Sequence, residues 1–246
     1  MLHSMKKQAA KFLPILLSLI ACNQAPQPAH IAIGSTSTSN EQTQPHANLT
    51  TNAPFDYYLL NLSWSPEFCH SHADAPECAQ HSTFVLHGLW PQTNNPTEQT
   101  SSTRRNNHHA PAKYLENCSN APGPRDPSQF KDLYPDQGLL EHEWRTHGTC
   151  SGLSPNDYFN AARTAFHSVA IPPTLAQLDH QISLPPDEIL GLFTAANPHI
   201  PATSLALSCG NNYLTAVEVC LDKSLNPTPC GPIRSCRANT VRIPPP

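Results

Sequence analysis

Cysteine is the residue type that most constrains this chain. One of its nine cysteines, Cys22, lies near the N-terminus, and the other eight lie at positions 69, 78, 118, 150, 209, 220, 230 and 236. Eight cysteines staple a fold through disulfides in an oxidising compartment, whereas in the cytosol such residues are more often metal ligands or catalytic thiols. The compartment therefore decides what these cysteines do, and their spacing alone does not choose the pairs.

The N-terminus carries the pattern of an export signal. Lysines 6, 7 and 11 precede an apolar run over residues 12–21, which is too short to span a bilayer and is typical of a signal peptide. The run ends in Leu19-Ile20-Ala21-Cys22, which resembles the bacterial lipoprotein signal, in which the cysteine is lipidated and becomes the first mature residue. Ordinary cleavage nearby, with Cys22 lost or left free, is the alternative. Export predicts disulfides for the other eight cysteines.

Composition divides the chain into three segments. Residues 1–22 form the signal peptide with its lipoprotein cysteine. Residues 23–53 are rich in Ser, Thr, Pro, Gln and Asn and have no lasting apolar period, so we expect a flexible linker. Residues 54–246 are long enough for one folded domain. The expected location is the periplasm, with a membrane contact only through the lipid anchor, or the exterior after secretion.

Net charge excludes one large class of nucleic-acid binder. Without the three lysines of the signal peptide, 11 bases stand against 18 acids, and a balance of −7 does not fit binding through a broad basic face. Acid changes this, because the 13 histidines beyond the signal peptide would bring the balance to about +6 near pH 5 if the carboxylates stay ionised. Any binding of a polyanion is therefore expected to be local and favoured by acid.

Strand and helix patterns are mixed without regular alternation, which predicts the α+β class. Two buried strands are expected, in FDYYLLNLSWSP from residue 55 and in STFVLHGLWP at 82–91. A hairpin is expected around Gly210-Asn211-Asn212. Helices are expected after Asp136, after Ser154 as far as about residue 169, and over about 187–196.

The helix after Asp136 carries LLEHEWRTHGTC, residues 139–150, whose histidines and glutamates suit either metal binding or proton transfer. A helical zinc protease site needs two histidines four residues apart. His142 and His147 are five apart, so on a straight helix they diverge by about 140° and cannot share one ion. Glu143 shares a face with His147, but two ligands make no metal site. No metal is therefore expected here, and acid–base chemistry remains.

A third histidine, His87, ends the second predicted strand in FVLHGLWP. A single histidine at a strand end is usually only a polar residue at a turn, but here Gly88 permits close approach and Trp90 offers a flat apolar ring. Together with Glu143 and His147, it supplies an acid, a base and a polar stabiliser, which is the equipment for phosphoryl transfer without metal. Trp90 could stack a nucleobase.

FVLHGLWP and HEWRTHGTC resemble the two catalytic segments of the T2-type acid ribonucleases, and LSWSPEFC at 62–69 resembles the first strand of that family. The three segments stand in the family's order, and the resemblance covers about residues 54–241. It implies an antiparallel β-sheet flanked by helices and stapled by disulfides. The implied pairs are Cys69–Cys78, Cys118–Cys150, Cys209–Cys236 and Cys220–Cys230.

The resemblance also implies an activity, the endonucleolytic cleavage of single-stranded RNA through a 2′,3′-cyclic phosphate, without a cofactor. We expect the protein to be a monomer. Carried over by position, His147 is the base that takes the 2′-hydroxyl proton, and His87 is the acid that protonates the leaving 5′-oxygen. Glu143 stabilises or orients the phosphate and His142 binds it. Trp90 lies where the family stacks a base.

Thr146 is the one serious departure, because the family has a lysine at this position. Losing such a charged donor typically costs about 10²–10³ in rate. Arg145 is adjacent but lies about 100° around the helix, so compensation by this residue stays open. The alternative function is therefore a catalytically weakened homologue that binds RNA or a partner protein. A purely structural surface protein is a third class, which the retained His87, Glu143 and His147 oppose.

Overall fold

A computed structural model describes residues 51–80, 82–94 and 115–246. Cys22, the signal peptide and all but the last three residues of the predicted linker lie outside the described residues. No helix among the residues that the structure describes is long and apolar enough to cross a membrane.

Six strands form one sheet, and five helices pack around it in the described part of the chain. The strands are β1 (Tyr57–Trp64), β2 (Phe84–Gln92), β3 (Ile182–Leu184), β4 (Leu205–Gly210), β5 (Tyr213–Leu221) and β6 (Val241–Ile243). The helices are α1 (Ser65–Ser71), α2 (Gln137–Thr146), α3 (Pro155–His167), α4 (Pro173–Ala176) and α5 (Pro186–Ala196). This mixture of strands and helices confirms the α+β class.

The sheet runs in the order β2-β1-β5-β6-β3, and β4 also pairs with β5. All neighbours are antiparallel except β5 and β6, which pair in parallel where Tyr213 meets Arg242. The expected antiparallel sheet flanked by helices is therefore confirmed, and this one parallel pair makes the sheet mixed. The physical reason is the long connection from β5 to β6, which leaves enough chain to return and run in the same direction.

Local signals set most element boundaries. The Asp136 carboxylate accepts a hydrogen bond from the backbone N–H of Gly138 and starts α2, while Ser154 caps α3, with proline at its first position. Asn211 and Asn212 both have positive φ in the two-residue turn between β4 and β5, as a tight hairpin requires. The sequence does not predict α1, because a proline after an apolar run is typical of a strand end, whereas Pro66 occupies the first turn of a helix.

The two faces of β1 differ in character, because successive side chains of a strand point to opposite sides. Tyr58, Leu60, Leu62 and Trp64 are fully buried in the main core, which α3 and α5 complete with aromatic and aliphatic side chains. The opposite face begins with Tyr57 and Leu59 in a smaller apolar cluster beside the buried Cys220 and Cys230. It then becomes polar, with Asn61 and Ser63.

Four disulfides staple the fold, and they confirm the predicted pairs Cys69–Cys78, Cys118–Cys150, Cys209–Cys236 and Cys220–Cys230. The bridge at Cys150 follows α2 directly and ties the end of that helix to the segment around Cys118. The two C-terminal bridges connect β4 and β5 to the segment that leads to β6. The Cys118–Cys150 disulfide thus joins the segment before α2 to the segment after it, and α2 is the helix that carries the histidine motif.

Candidate active site

The helix α2 ends one residue before His147. His147 is the C-terminal cap, with φ −115° and ψ −44°, and its backbone N–H donates to the Glu143 carbonyl. Because His147 lies beyond the regular helix, its ring comes to within 6.5 Å of the His142 ring, centroid to centroid. Even so, no cluster of three or more histidine, cysteine or acidic side chains placed to hold a metal occurs among the described residues.

His87 lies at a β-bulge in β2. In the pairing of β1 with β2, Asn61 faces Gly88 and Leu62 faces Leu86, so His87 is the extra residue on its strand. A bulge of this kind breaks the regular alternation and redirects a side chain. The bulge therefore aims His87 toward the polar end of the face of β1 that carries Asn61 and Ser63. Sequence patterns gave no signal for it.

The Glu143 side chain is fully buried and reaches from α2 to β2. Its Oε2 accepts a 2.8 Å hydrogen bond from Trp90 Nε1, and its Oε1 lies 3.6 Å from His87 Nε2. Gly88 makes this approach possible, because a Cβ atom there would overlap both Glu143 Oε2 and Trp90 Nε1. The close approach expected of Gly88 is thus a requirement of space rather than of backbone conformation.

Burial shifts the pKa of the Glu143 carboxyl group to about 8, above its ordinary value, although the Trp90 hydrogen bond opposes the shift. In acid the group is therefore neutral. A neutral carboxyl group can donate a hydrogen bond and does not repel an anion, so it is compatible with a phosphate at this position.

Trp90 supports the site from within. Its ring is 9% exposed, stacks on the His147 ring at 4.9 Å and meets the His87 ring edge-on at 5.5 Å. Sequence analysis expected Trp90 to stack a nucleobase, but in this arrangement the indole packs against both histidines and donates to Glu143. Little of the ring is exposed, because Glu143, His87 and His147 surround it, and stacking of a base on Trp90 stays a prediction.

The two imidazoles lie in different surroundings. His147 is 5% exposed, and burial lowers its pKa to about 3, although a hydrogen bond with the Leu115 backbone opposes the shift. The side chain of His87 is 41% exposed, and partial burial, together with the nearby charge of His142, lowers its pKa from the ordinary value. His147 is therefore neutral over most of the acid range, while His87 reaches solvent and takes up a proton more readily.

Thr146 and Arg145 lie on different faces of α2. The Thr146 side chain is buried, and its Oγ1 lies 3.5 Å from Nδ1 of the exposed His142. Arg145 is exposed and lines a surface cavity with Trp144, Glu141 and the segment around Gly123. Arg145 is therefore not placed to replace the lysine expected at position 146, whereas His142 is the basic side chain that Thr146 contacts.

The structure brings His87, Glu143 and His147 together, with Trp90 packed among them and His142 at the edge. Ser63 is a further residue of the site that no sequence motif marks, and its Oγ lies 3.0 Å from His87 Nδ1. Strand alternation could have found it, because Asn61 and Ser63 interrupt an otherwise apolar face. Chemically, the site holds a buried neutral imidazole, a more accessible imidazole and a carboxyl group that reaches from α2 toward β2.

Comparisons with known proteins show which family this chain resembles. A sequence profile of the Ribonuclease T2 family matches residues 55–230. A ribonuclease of Aeromonas hydrophila is 40% identical over 109 residues, which are 44% of this chain and 43% of that protein. A probable ribonuclease of Haemophilus influenzae is 29% identical over 192 residues, 72% of this chain and 62% of that protein. The chain thus spans less than two thirds of each of these relatives.

Solved structures share the fold. An RNase-related protein from Calystegia sepium superimposes with a TM-score of 0.56 at 20% identity, covering 77% of this chain and 97% of its own. Ribonuclease MC1 from bitter gourd seeds superimposes with a TM-score of 0.53 at 23% identity, covering 76% and 99%. A mutant of ribonuclease MC1 in complex with 5′-UMP gives 0.55 at 23% identity, covering 76% and 97%. At these identities the likeness establishes the fold.

Proposed function

The chain belongs to the ribonuclease T2 family, and from this premise we propose that it is an endoribonuclease that cleaves single-stranded RNA through a 2′,3′-cyclic phosphate. The observation that carries the proposal is the pair of imidazoles, His87 and His147, which both pack on Trp90 with different degrees of burial, His87 also lying beside Glu143. One ring is held neutral and the other can carry a proton, which is the arrangement that concerted acid–base catalysis needs.

In the first step the 2′-oxygen attacks phosphorus and the bond from phosphorus to the 5′-oxygen breaks. His147 takes the proton from the 2′-hydroxyl group, for which its low pKa keeps it available. His87 gives a proton to the leaving 5′-oxygen. In the second step the roles reverse, because His87 then takes a proton from water and His147 returns one to the 2′-oxygen as the cyclic phosphate opens.

Glu143 and His142 would bind the phosphate between the two imidazoles. A buried carboxylate would repel the phosphate, but the raised pKa of Glu143 keeps it neutral in acid, so it can donate a hydrogen bond to a non-bridging oxygen. His142 is exposed at the edge of the site and adds positive charge when protonated. This replaces part of the charge that a lysine at Thr146 would supply.

The proposal is tested with a ribodinucleotide and its 2′-deoxy counterpart, in acid buffer with excess chelator. Phosphorus NMR should show a 2′,3′-cyclic phosphate that later opens to the 3′-phosphate, and the deoxy substrate should stay intact. Cleavage of the deoxy substrate would contradict the mechanism, because it has no 2′-oxygen. Loss of activity in chelator, with recovery on adding a divalent ion, would contradict a metal-free reaction.

We also propose that the protein is exported and anchored through lipid on Cys22, with residues 23–53 as a tether. Support comes from the lipoprotein-like sequence and from the four disulfides, which suit an oxidising compartment. When the full chain is expressed in a bacterium, it should fractionate with membranes, and Cys22→Ser should not. Release of the unaltered protein as a free periplasmic or secreted form would contradict the anchor.

A further inference from the structure

Four polar side chains lie together on the sheet face that carries the active site. Asn61 and Ser63 are two residues apart on β1 and so point to the same side. The strand register places Glu218 of β5 directly opposite Asn61, and it places Ser208 of β4 diagonally across from Glu218. The sheet thus brings a polar group from each of β1, β4 and β5 onto the face to which the bulge of β2 directs His87.

Hydrogen bonds join these side chains one after another, beginning at His87. Ser63 Oγ lies 3.0 Å from His87 Nδ1 and donates to Asn61 Oδ1 at 3.4 Å. Asn61 Nδ2 in turn donates to Glu218 Oε1 at 3.4 Å. Ser208 donates to the same Glu218 oxygen at 2.9 Å but lies outside the path to His87. This series of hydrogen bonds therefore runs from β2 to β1 and on to β5.

The direction of the donors follows from chemistry. Glu218 accepts, so the Asn61 amide must present its NH₂ group to Glu218 and its oxygen to Ser63. The Ser63 hydroxyl has a single hydrogen, which it gives to that oxygen. It can then only accept from His87, which requires a hydrogen on Nδ1. The other ring nitrogen, Nε2, is the one that faces Glu143 and the site.

Glu218 is costly for the fold. It is 1% exposed, its Oε2 has no hydrogen-bond partner, and no ion pair involves it within the described part of the chain. Burying such a group without a cation lowers stability unless hydrogen bonds compensate. The nearest neighbours on the same face of β5, Ala216 and Cys220, are buried and apolar, so packing alone would select an apolar residue here. The position thus gives up stability, as functional sites often do.

We propose that Ser63, Asn61 and Glu218 are positioning residues that hold His87 with its hydrogen on Nδ1, so that Nε2 is the nitrogen that delivers the proton to the leaving 5′-oxygen. The inference rests on the proposed function, in which His87 is the acid. The protonated ring carries a hydrogen on both nitrogens, so an acceptor at Nδ1 decides that Nε2 faces the leaving group and that Nδ1 keeps its hydrogen after the proton is given. Without that acceptor, the ring would have to find its orientation in every turnover.

The first readout is the tautomer itself, which does not depend on activity. Two-bond ¹H–¹⁵N correlation spectra distinguish the two neutral forms above the ordinary histidine pKa of about 6.5, and the His87→Ala spectrum assigns the signal. The unaltered protein and Ser63→Thr should show the hydrogen on Nδ1. Ser63→Ala and Asn61→Ala should show a mixture with the Nε2 form, because the first removes the acceptor and the second frees the hydroxyl to turn.

The second readout compares two substrates. A ribodinucleotide has a poor leaving group that needs an acid, whereas a nucleoside 3′-(4-nitrophenyl phosphate) releases a stable anion and needs none. Ser63→Ala should lower kcat about tenfold on the dinucleotide, less than the roughly 10²–10⁴ that general acid catalysis contributes, because His87 itself stays in place. It should leave kcat on the aryl ester nearly unchanged. Ser63→Thr should restore the dinucleotide rate. Ser168→Ala, which removes an exposed hydroxyl that donates to the Ala165 carbonyl at the end of α3, is the control and should change neither rate.

The outcomes separate the two proposals. An unaltered protein that cleaves neither substrate overturns the proposed function, while the spectra still test the tautomer. A pure Nδ1–H form in both Ser63→Ala and Asn61→Ala overturns the positioning role. Equal losses on both substrates in Ser63→Ala overturn it as well, since general damage to the fold would affect both reactions alike.

Discussion

The two faces of β1 are built from alternate residues of one strand, yet they do different work. On one face Leu60, Leu62 and Trp64 are fully buried among apolar side chains and contribute to stability. On the other, Asn61 and Ser63 are bonded to polar partners and lie beside the candidate catalytic groups. The comparison teaches that alternate residues of one strand can serve the core on one face and the candidate active site on the other. A substitution on one face should therefore affect mainly stability, and a substitution on the other mainly activity.

The largest effect is expected on the catalytic side. His147→Ala removes the base and His87→Ala the acid, and each should lower kcat/KM by about 10²–10⁴, the usual contribution of proton transfer. Initial rates on a ribodinucleotide measure this, and circular dichroism checks that both variants are folded. Near-full activity in either variant would mean that the imidazoles are not the proton carriers.

The apolar face should respond in the opposite way. Leu60→Ala leaves a cavity in the main core and should lower the free energy of unfolding by about 2–5 kcal/mol. Urea unfolding measures the loss. The kcat of the remaining folded protein should change little, and a large fall in kcat would show that the two faces are not separable.

Gly88 sharpens the comparison, because it lies where the catalytic face meets α2. A methyl group there would overlap Glu143 and Trp90, so Gly88→Ala should lower stability by about 1–3 kcal/mol through overpacking. Misplacing Glu143 by about 1 Å should also cost up to about 10²-fold in kcat/KM. Gly191→Ala in α5 is the matched control, since its added methyl group meets nothing within 4 Å. It should stabilise the helix and leave the rate alone, and equal effects at both glycines would contradict the crowding argument.

The smallest effect is expected at Thr146, the departure from the family pattern. Thr146→Lys should raise kcat by about tenfold with little change in KM, less than the 10²–10³ typical of one electrostatic donor, because His142 already supplies part of the charge. Arg145→Ala should leave kcat nearly unchanged, since Arg145 lines the surface cavity beside Trp144 and Glu141 and does not face the site. A strong loss in Arg145→Ala with no gain in Thr146→Lys would reverse this assignment.

Sequence patterns predicted the components of the site better than their contacts. The helix caps, the hairpin and the disulfide pairs are local or follow from the family resemblance, and the structure confirms them. The bulge at His87, the covered ring of Trp90 and the parallel pairing of β6 depend on how distant strands register, which no local pattern encodes. Ser63 and Glu218 look like ordinary polar residues in strands until the register places them in one chain of hydrogen bonds.

The central claim, that His147 acts as a neutral base and His87 as a protonated acid, is tested most directly by the pH dependence of kcat/KM in excess chelator. A base works above its pKa, so the acid limb should fall near pH 3, where burial places His147. An acid works below its pKa, so activity should fall again as the pH rises. This second fall should come at a pH below the ordinary histidine value of about 6.5, because the pKa of His87 is lowered. Tryptophan fluorescence at each pH confirms that the protein is folded. The account predicts a bell that lies wholly in acid, and activity that rises to a plateau above neutral pH would contradict it.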